Sequence, residues 1–153
     1  NPELNYMQKQ FSMTLDSISA TQPFAAEMAI TIKGACVIAM TGNLGSGKTT
    51  FTQGFARGMG IEEKVGSPTF KLVSQYHGKH LKLNHVDCYR LENEREFFNI
   101  GGEEYLDPEN AITIIEWSEK IEKIIPPDAI KIEFNRDSKN TDMRTLKIEG
   151  WAP

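Results

Sequence analysis

The sequence is poor in several features that define common protein classes. It has 2 cysteines in 153 residues, Cys36 and Cys88, and they lie too far apart along the chain to indicate a zinc knuckle or a disulfide framework. Its apolar runs are short, and none approaches the roughly 18 residues of a membrane-spanning helix. The first residues, Asn1–Gln10, lack the apolar stretch of a signal peptide. We therefore expect a cytoplasmic protein without a membrane partner.

Basic residues are also in the minority. Lys and Arg number 17 against 21 Asp and Glu, which gives a net charge of -4. A protein that grips nucleic acid by itself needs a basic face for the phosphates, so the charge argues against direct nucleic-acid binding. Hydrophobic residues make up 39% of the chain, which is enough for one globular domain. We predict a single domain over residues 11–153, with residues 1–10 an extension or a cloning remnant.

Hydrophobic periodicity predicts alternating strands and helices. The predicted strands are Phe11–Ser17, Ala35–Met40, Lys71–Tyr76, Lys82–Asp87, Ala111–Glu116, Ile130–Phe134 and Leu146–Trp151. The predicted helices are Ser19–Ile32, capped by Ser19, then Lys48–Met59 and Glu94–Ile100. The last two strands bracket a polar loop and predict a C-terminal antiparallel hairpin. This order indicates an α/β layer fold with a mixed sheet.

The strongest chemical signal lies between the second predicted strand and the second predicted helix. Residues 42–49 match G-x-x-x-x-G-K-[ST], the Walker A motif or P-loop. Its glycines let backbone N–H groups point at phosphate oxygens, and the helix N-terminus adds partial positive charge. The alternative is a Gly-rich turn that contains a lysine by chance. The predicted ATP-contacting residues of the motif are Gly42, Leu44, Gly45, Ser46, Gly47, Lys48, Thr49 and Thr50.

The two polar side chains of the motif have separate predicted roles. Lys48, which we expect at an exposed helix end, can bridge two phosphates as a catalytic residue, and the Thr49 hydroxyl can ligate Mg²⁺. The guanine-specific N-K-x-D motif and the L-S-G-G-Q signature of ABC proteins are absent from the sequence. The motif therefore predicts a small domain that binds ATP or ADP with Mg²⁺.

Two strand ends supply candidate carboxylates. Glu116 ends an apolar strand, where a P-loop protein places an acid that holds Mg²⁺ or its water ligands. Asp87 ends another strand, where it could orient the attacking water. The alternatives are a strand that ends in a polar residue at Glu116 and a turn-capping carboxylate at Asp87. We predict that both are catalytic and that Glu116 is also a metal ligand.

Three further features have a functional and a structural interpretation. Ser67-Pro-Thr-Phe70 follows the P-loop helix, where Thr69 could reach the γ-phosphate and metal, although a plain turn fits as well. His77 and His80 flank a short turn and are interpreted as a solvated hairpin rather than a metal site. Trp117 either packs beside the nucleotide cleft or belongs to the core or its rim.

Taken together, these motifs resemble one family, the TsaE ATPases of bacterial tRNA threonylcarbamoyladenosine biosynthesis. The resemblance runs from about Ser19 to Trp117. Beyond the P-loop it rests on F-x-x-G-x-x-x-G-x-G, S-P-T-F, H-x-D-x-Y-R-L, G-x-E-E-Y and I-E-W, at residues 51–60, 67–70, 85–91, 101–105 and 115–117.

The resemblance implies a three-layer P-loop NTPase-like fold that hydrolyses ATP with Mg²⁺. It also implies association with the TsaD–TsaB pair, which modifies adenosine in tRNA, so that tRNA is met only through that complex. It assigns Thr49 and Glu116 as metal ligands and Asp87 and Thr69 as supporting residues. It further implies that the helix start at Ser19–Thr21 and Arg144 border the adenine.

Two other functions remain open. A small-molecule kinase also has a P-loop, but it needs a lid that commonly carries arginines, and no arginine-rich segment is present. A non-catalytic nucleotide-gated module is the other alternative, and Asp87 and Glu116 argue against it. Of the five arginines, only Arg90 closely follows a strand that ends at the predicted site. We therefore expect slow hydrolysis by the isolated chain and completion of the site by a partner.

Overall fold

The helices and strands follow the hydrophobic pattern of the sequence. The computed structural model describes residues 10–43, 45–66, 71–137, 139–140 and 142–153. The strands in this part of the chain are β1 (Gln10–Leu15), β2 (Cys36–Gly42), β3 (Val73–His77), β4 (Lys82–Asp87), β5 (Ala111–Glu116), β6 (Ile130–Arg136) and β7 (Arg144–Glu149). The α-helices are α1 (Thr21–Thr31), α2 (Lys48–Gly58) and α3 (Glu94–Asn99). Single 3₁₀ segments span Ile18–Ala20, Gly102–Leu106 and Ser118–Ile124.

The strands form one mixed sheet in the order β1-β7-β6-β2-β5-β4-β3. β2 lies parallel to both β5 and β6, and β4 lies parallel to β5. The pairs β1–β7, β6–β7 and β3–β4 are antiparallel. The predicted mixed sheet and the predicted C-terminal antiparallel hairpin, β6–β7, are confirmed.

Each face of the sheet is covered by its own apolar cluster. On one face, residues from α1 and α2, among them Met28, Phe51 and Phe55, pack with Ile38 and Ile114. On the other face, Phe97 of α3 and Ile121 of the last 3₁₀ segment pack with strand residues such as Val37, Val86 and Ile115. Because side chains alternate across a strand, β2 and β5 supply both clusters. The predicted three-layer α/β architecture is confirmed.

Helices α1 and α2 approach each other very closely at a glycine. A Cβ atom on Gly54 would lie 2.4 Å from the backbone oxygen of Gln22, so only glycine fits this position. Aromatic contacts continue the packing, with the Phe24 and Phe51 ring centroids 6.5 Å apart. The close contact anchors α2, and the loop that precedes it, against α1.

The predicted ends of several elements differ from those in the structure. Ser19 does not cap the first helix, because it lies inside the 3₁₀ turn before α1 and its hydroxyl is 2.9 Å from that of Ser17. β1 begins one residue earlier than predicted, because Gln10 already pairs with Glu149 of β7. A single domain over residues 11–153 stays a prediction.

The topology brings four strand ends to one edge of the sheet. The parallel strands β2, β5 and β4 all end there, and Asp87 pairs directly with Glu116 across β4 and β5. β6 also ends at this edge, because it runs parallel to β2 with Gly42 opposite Phe134. Ligands of open α/β sheets bind outside the carboxyl ends of parallel strands.

Among the described residues, no helix combines the length and the hydropathy that a membrane span requires.

Candidate active site

A cleft of about 300 Å³ lies at this edge of the sheet. It is lined by Ile18, Gly45, Ser46, Gly47, Lys48, Thr49, Thr50, Asp87, Tyr89, Glu116, Trp117 and Arg144. A groove of about 530 Å³ at the far ends of α1 and α2 is larger, but it contains no carboxylate beside a phosphate-type loop. The combination of loop, carboxylates and arginine makes the smaller cleft the candidate site.

The loop between β2 and α2 has the backbone shape that the P-loop mechanism requires. Gly45 and Gly47 have φ angles of 77° and 105°, a region that favours glycine. Gly47 is the N-terminal flanking residue of α2, so the helix N-terminus faces the cleft side of the loop. The Ser46 hydroxyl is buried without a hydrogen-bond partner among the described residues. This loop fits an anionic ligand that would accept hydrogen bonds from it.

Lys48 is buried, so the prediction of an exposed helix end is wrong. Its side chain folds back over the loop, and its ammonium donates to the Gly42 and Asn43 carbonyls. The ammonium also lies 3.8 Å from the ring centroid of Trp117. Burial lowers the pKa of Lys48, and the charge of Glu119 and of nearby carboxylates opposes that shift. The Lys48 ammonium is therefore partly desolvated and lies beside the phosphate loop.

Thr49 and Glu116 form the oxygen pair expected of a magnesium site. The Thr49 hydroxyl donates to Glu116 Oε1 at 3.0 Å. Glu116 ends β5 and is only 3% exposed. A hydroxyl and a carboxylate beside a phosphate loop suit Mg²⁺, which takes few protein ligands and completes its shell with phosphates and waters. In the described part of the chain no three His, Cys, Asp or Glu side chains are grouped to hold a metal by themselves.

Asp87 lies in the same cleft and also closes a turn. It is half-buried at the end of β4, and its Oδ1 accepts a hydrogen bond from the Tyr89 backbone N–H at 2.9 Å. The structure thus shows the turn contact that was the alternative interpretation, together with a place in the cleft. Its role in hydrolysis stays a prediction.

Two aromatic residues form the rim on this side. Trp117 has a left-handed backbone conformation, with φ 58°, directly after β5. The next residue, Ser118, donates to the Met40 carbonyl at 3.1 Å and fixes the turn to β2. The Trp117 ring packs against Tyr89, with ring centroids 5.1 Å apart. Trp117 is therefore a rim residue of the cleft, where it covers Lys48.

Two arginines, Arg136 and Arg144, lie at the opposite side of the loop. Arg144 was predicted to border the adenine; it lines the cleft, and a contact with the nucleotide stays a prediction. Arg144 is 3% exposed and its Nη2 donates to the Gly45 carbonyl at 3.2 Å. Arg136 pairs with Arg144 across β6 and β7, and a Cβ on Gly45 would lie 3.8 Å from its Nη1. Burial lowers the pKa of Arg144, and the charge of Arg136 adds to that shift. The register of β6 with β2 brings this hairpin to the loop.

The remaining predicted residues fall into three groups. Thr50 lines the cleft. Ser19 is exposed and outside the lining, which includes its neighbour Ile18 instead, so a contact of Ser19 with the nucleotide stays a prediction. Leu44 and Thr69, with the rest of the S-P-T-F segment, lie outside the described residues.

The sequence assigned no role to His85. In the structure its ring is fully buried beneath the cleft and its Nε2 contacts Glu116 Oε2. The available signal was a histidine two residues before Asp87 on the same strand, since alternation places both on one face.

Comparison with known proteins agrees with the geometry. A sequence profile of the family described as "Threonylcarbamoyl adenosine biosynthesis protein TsaE" matches residues 15–146. A protein of Bacillus subtilis (strain 168) named tRNA threonylcarbamoyladenosine biosynthesis protein TsaE is 37% identical over 128 residues, which cover 84% of this chain and 79% of that protein. A protein of the same name from Treponema pallidum (strain Nichols) is 41% identical over 98 residues, or 64% and 71% of the two chains.

A solved structure shows the same architecture. The chain is similar to the crystal structure of Bacillus subtilis YdiB with a TM-score of 0.72 and 30% sequence identity. The match covers 92% of this chain and 84% of that chain.

Proposed function

The chain belongs to the TsaE family, and on this premise we propose that it binds and hydrolyses ATP with Mg²⁺ in support of threonylcarbamoyl modification of adenosine in tRNA. We further propose that it acts through a complex with TsaD and TsaB and meets tRNA only through that complex, in the cytoplasm where tRNA is modified. The net charge of -4 supports an accessory role, because direct tRNA binding favours a basic surface.

One observation carries the proposed ATPase activity. The hydroxyl of Thr49 lies 3.0 Å from the carboxylate of Glu116, at the point where the phosphate loop meets the end of β5. A loop that only bound phosphate would need no carboxylate there, because an unneutralised acid repels the ligand. Mg²⁺, when bound, would supply charge neutralisation and orient the phosphates. Thr49 and Glu116 would hold it.

Lys48 and the loop are proposed to bind the phosphates. The Lys48 ammonium contacts two loop carbonyls and the Trp117 ring, and Lys48 lines the cleft. A phosphate offers it a stronger, charge-assisted partner than a neutral carbonyl does. Moving from the carbonyls to the phosphates would therefore stabilise both the nucleotide and the charge of the lysine.

The acidic residues are proposed to act on water and metal rather than on the base. Glu116 and Asp87 share one edge of the cleft, where a carboxylate can orient an attacking water. Arg144 lies across the loop and holds the Gly45 carbonyl. Its guanidinium would steady the loop around the phosphates.

We also propose that a partner protein completes the active site. The side of the cleft beside Asp87 ends in Tyr89, which is 53% exposed and leaves the edge open to water. ATP hydrolysis benefits from closure that excludes water and completes the charge-stabilising set. We propose that TsaD–TsaB supplies this closure and that the isolated chain turns over slowly.

Steady-state phosphate release tests this function. We expect slow release from ATP by the isolated chain and a marked rise when TsaD and TsaB are added together. The variant Glu116→Gln, which keeps the size of the side chain, controls for contaminating ATPases and should be inactive in both conditions. Equal rates with and without the pair would contradict partner completion, and a phosphorylated small metabolite among the products would favour a kinase.

A further inference from the structure

A fully buried histidine lies directly beneath the candidate metal site. His85 is 0% exposed and occupies the inner part of β4, two residues before Asp87. Its Nε2 contacts the Glu116 carboxylate, while its Nδ1 is buried and makes no hydrogen bond to any described residue. The ring therefore has one polar partner in this part of the molecule, and that partner is the proposed metal ligand.

The two carboxylate oxygens of Glu116 have different partners. Oε1 accepts from the Thr49 hydroxyl at 3.0 Å, and Oε2 meets the His85 ring. With Oε2 against the ring, the side of the carboxylate that carries Oε1 faces Thr49 and the cleft. Each contact restricts the rotation of the carboxylate about its terminal bond, which is otherwise a broad, two-fold torsion.

The contact with Thr49 is the one that ligand binding would disturb. If the Thr49 hydroxyl and the Glu116 carboxylate both ligate the metal, they no longer orient each other through their hydrogen bond. The His85 contact lies on the opposite oxygen, away from the cleft, and is not in the way of a ligand. It is the contact that can persist in both states.

We propose that His85 is a positioning residue that orients the Glu116 carboxylate for Mg²⁺. This inference rests on the proposed function, since it assumes that Glu116 serves Mg²⁺ in the nucleotide complex. Groups that hydrogen-bond to metal ligands fix their orientation, and their loss commonly reduces metal affinity or activity by about 10–100-fold. His85 touches the ligand and not the nucleotide, so its effect should appear only when the metal is present.

A purely structural role explains the histidine less well. Filling the core beneath the cleft needs an apolar side chain, and a histidine used for that purpose leaves Nδ1 buried without a partner. Such a buried polar atom is costly, whereas leucine would fill similar space without it. The contact with Glu116 is the feature that leucine cannot supply.

Three substitutions separate the two roles. His85→Gln places an amide N–H near the position of Nε2 and can still donate to Glu116. His85→Leu keeps the volume and removes the donor. Asn84→Leu is the matched control, because Asn84 is the adjacent buried polar residue on β4 and bonds to Gln75 and Thr113 on the opposite face.

The measurement is the calorimetric affinity for ADP in EDTA and over a series of Mg²⁺ concentrations, together with a thermal melt of each variant. In His85→Leu we expect unchanged affinity in EDTA and a rise of about 10–100-fold in the Mg²⁺ concentration needed for half-maximal enhancement. His85→Gln should restore most of the enhancement. Asn84→Leu should lower the melting temperature and leave the enhancement as in the wild type.

The outcomes distinguish this inference from the function on which it rests. A wild-type chain that does not bind ADP, or binds it equally with and without Mg²⁺, would overturn both. A wild-type chain with Mg²⁺ enhancement that His85→Leu retains in full would overturn the positioning role alone. If His85→Leu does not fold, His85→Asn replaces it, because its shorter amide cannot reach Glu116, and full enhancement in that variant would overturn the role equally.

Discussion

The two sides of the phosphate loop are built on different kinds of strand. On one side, which we call the acidic side, Asp87 and Glu116 end the parallel strands β4 and β5. On the other, which we call the basic side, Arg136 and Arg144 face each other across the antiparallel hairpin β6–β7. β5 is buried along its whole length, whereas β6 alternates between buried and exposed residues.

The difference indicates that the two sides of the loop have separate roles. Strands covered on both faces hold their ends rigidly, and a metal site needs carboxylates within narrow limits of position. A hairpin with one exposed face is less constrained, and a guanidinium offers several N–H donors to a phosphate group. We therefore expect the acidic side to govern Mg²⁺ and turnover, and the basic side to govern nucleotide affinity.

The largest expected effect is on turnover, through the acidic side. Glu116→Gln keeps the hydrogen bonds to Thr49 and His85 possible but removes the negative charge. ATP turnover in the presence of TsaD and TsaB should fall by about 10²-fold or more, the scale of a lost acid–base or positioning group. Asp87→Ala should act in the same direction. Steady-state phosphate release measures both, and normal rates in both variants would remove the acidic side from the mechanism.

The second effect concerns the lysine between the two sides. Lys48→Ala removes a charged donor to the phosphates, and each charge-assisted hydrogen bond contributes about 1.5–3 kcal/mol. ADP affinity should fall by roughly 10²-fold by calorimetry, while the melting temperature changes little, because the two carbonyls that Lys48 contacts can bond to water instead. Lys48→Met keeps the buried stem and controls for packing. Wild-type ADP affinity in either variant would contradict the phosphate-loop assignment.

A smaller effect is expected from the basic side. Arg144→Met removes the guanidinium that holds the Gly45 carbonyl. ADP affinity should fall by about tenfold, or about 1.4 kcal/mol, equally with and without Mg²⁺. Arg90→Met is the matched control, since Arg90 is exposed and does not line the cleft. The same loss in both variants would point to general charge rather than to the basic side.

The smallest effect is a pH dependence. Burial lowers the pKa of Lys48 below its ordinary 10.5 in the free protein, and bound phosphates would raise it again, because they favour the ammonium. Binding then takes up a proton in the alkaline range, so ADP affinity should decline as the pH rises through the lowered pKa. Lys48→Arg stays charged and should show no such decline. A flat calorimetric profile for the wild type through the alkaline range up to pH 10.5 would contradict this coupling.

The acidic side could be predicted from the sequence because its signal is local. Glu116 directly follows an apolar run that indicates a buried strand, and Asp87 follows a mixed strand pattern with Leu83 and Val86 as its apolar residues. Since parallel strands end at one edge of a sheet, two such ends are expected to meet beside the P-loop. The sheet order that makes them neighbours was not needed for the prediction.

The family resemblance predicted Arg144 at the nucleotide, but the contacts of Arg144 and His85 depend on strand register, which hydrophobic periodicity does not fix. Arg144 reaches Gly45 because β6 pairs with β2 so that Phe134 lies opposite Gly42. His85 reaches Glu116 because β4 and β5 align Asp87 with Glu116. A shift of one residue in either pair would turn these side chains to the other face. Likewise, Ser19 lies in a 3₁₀ turn and not at the predicted helix cap, and such a turn has no periodic hydrophobic pattern that would predict it.

The separate roles of the acidic and the basic side are tested most directly by calorimetric titration of ADP into the wild type, Glu116→Gln and Arg144→Met, each with Mg²⁺ and with EDTA. In EDTA, Glu116→Gln should bind ADP at least as tightly as the wild type, because its side chain no longer repels the phosphates, and it should lose the enhancement by Mg²⁺. Arg144→Met should lose affinity by the same factor in both conditions and keep the enhancement. If the two variants lose affinity alike in both conditions, the two sides of the loop do not have separate roles.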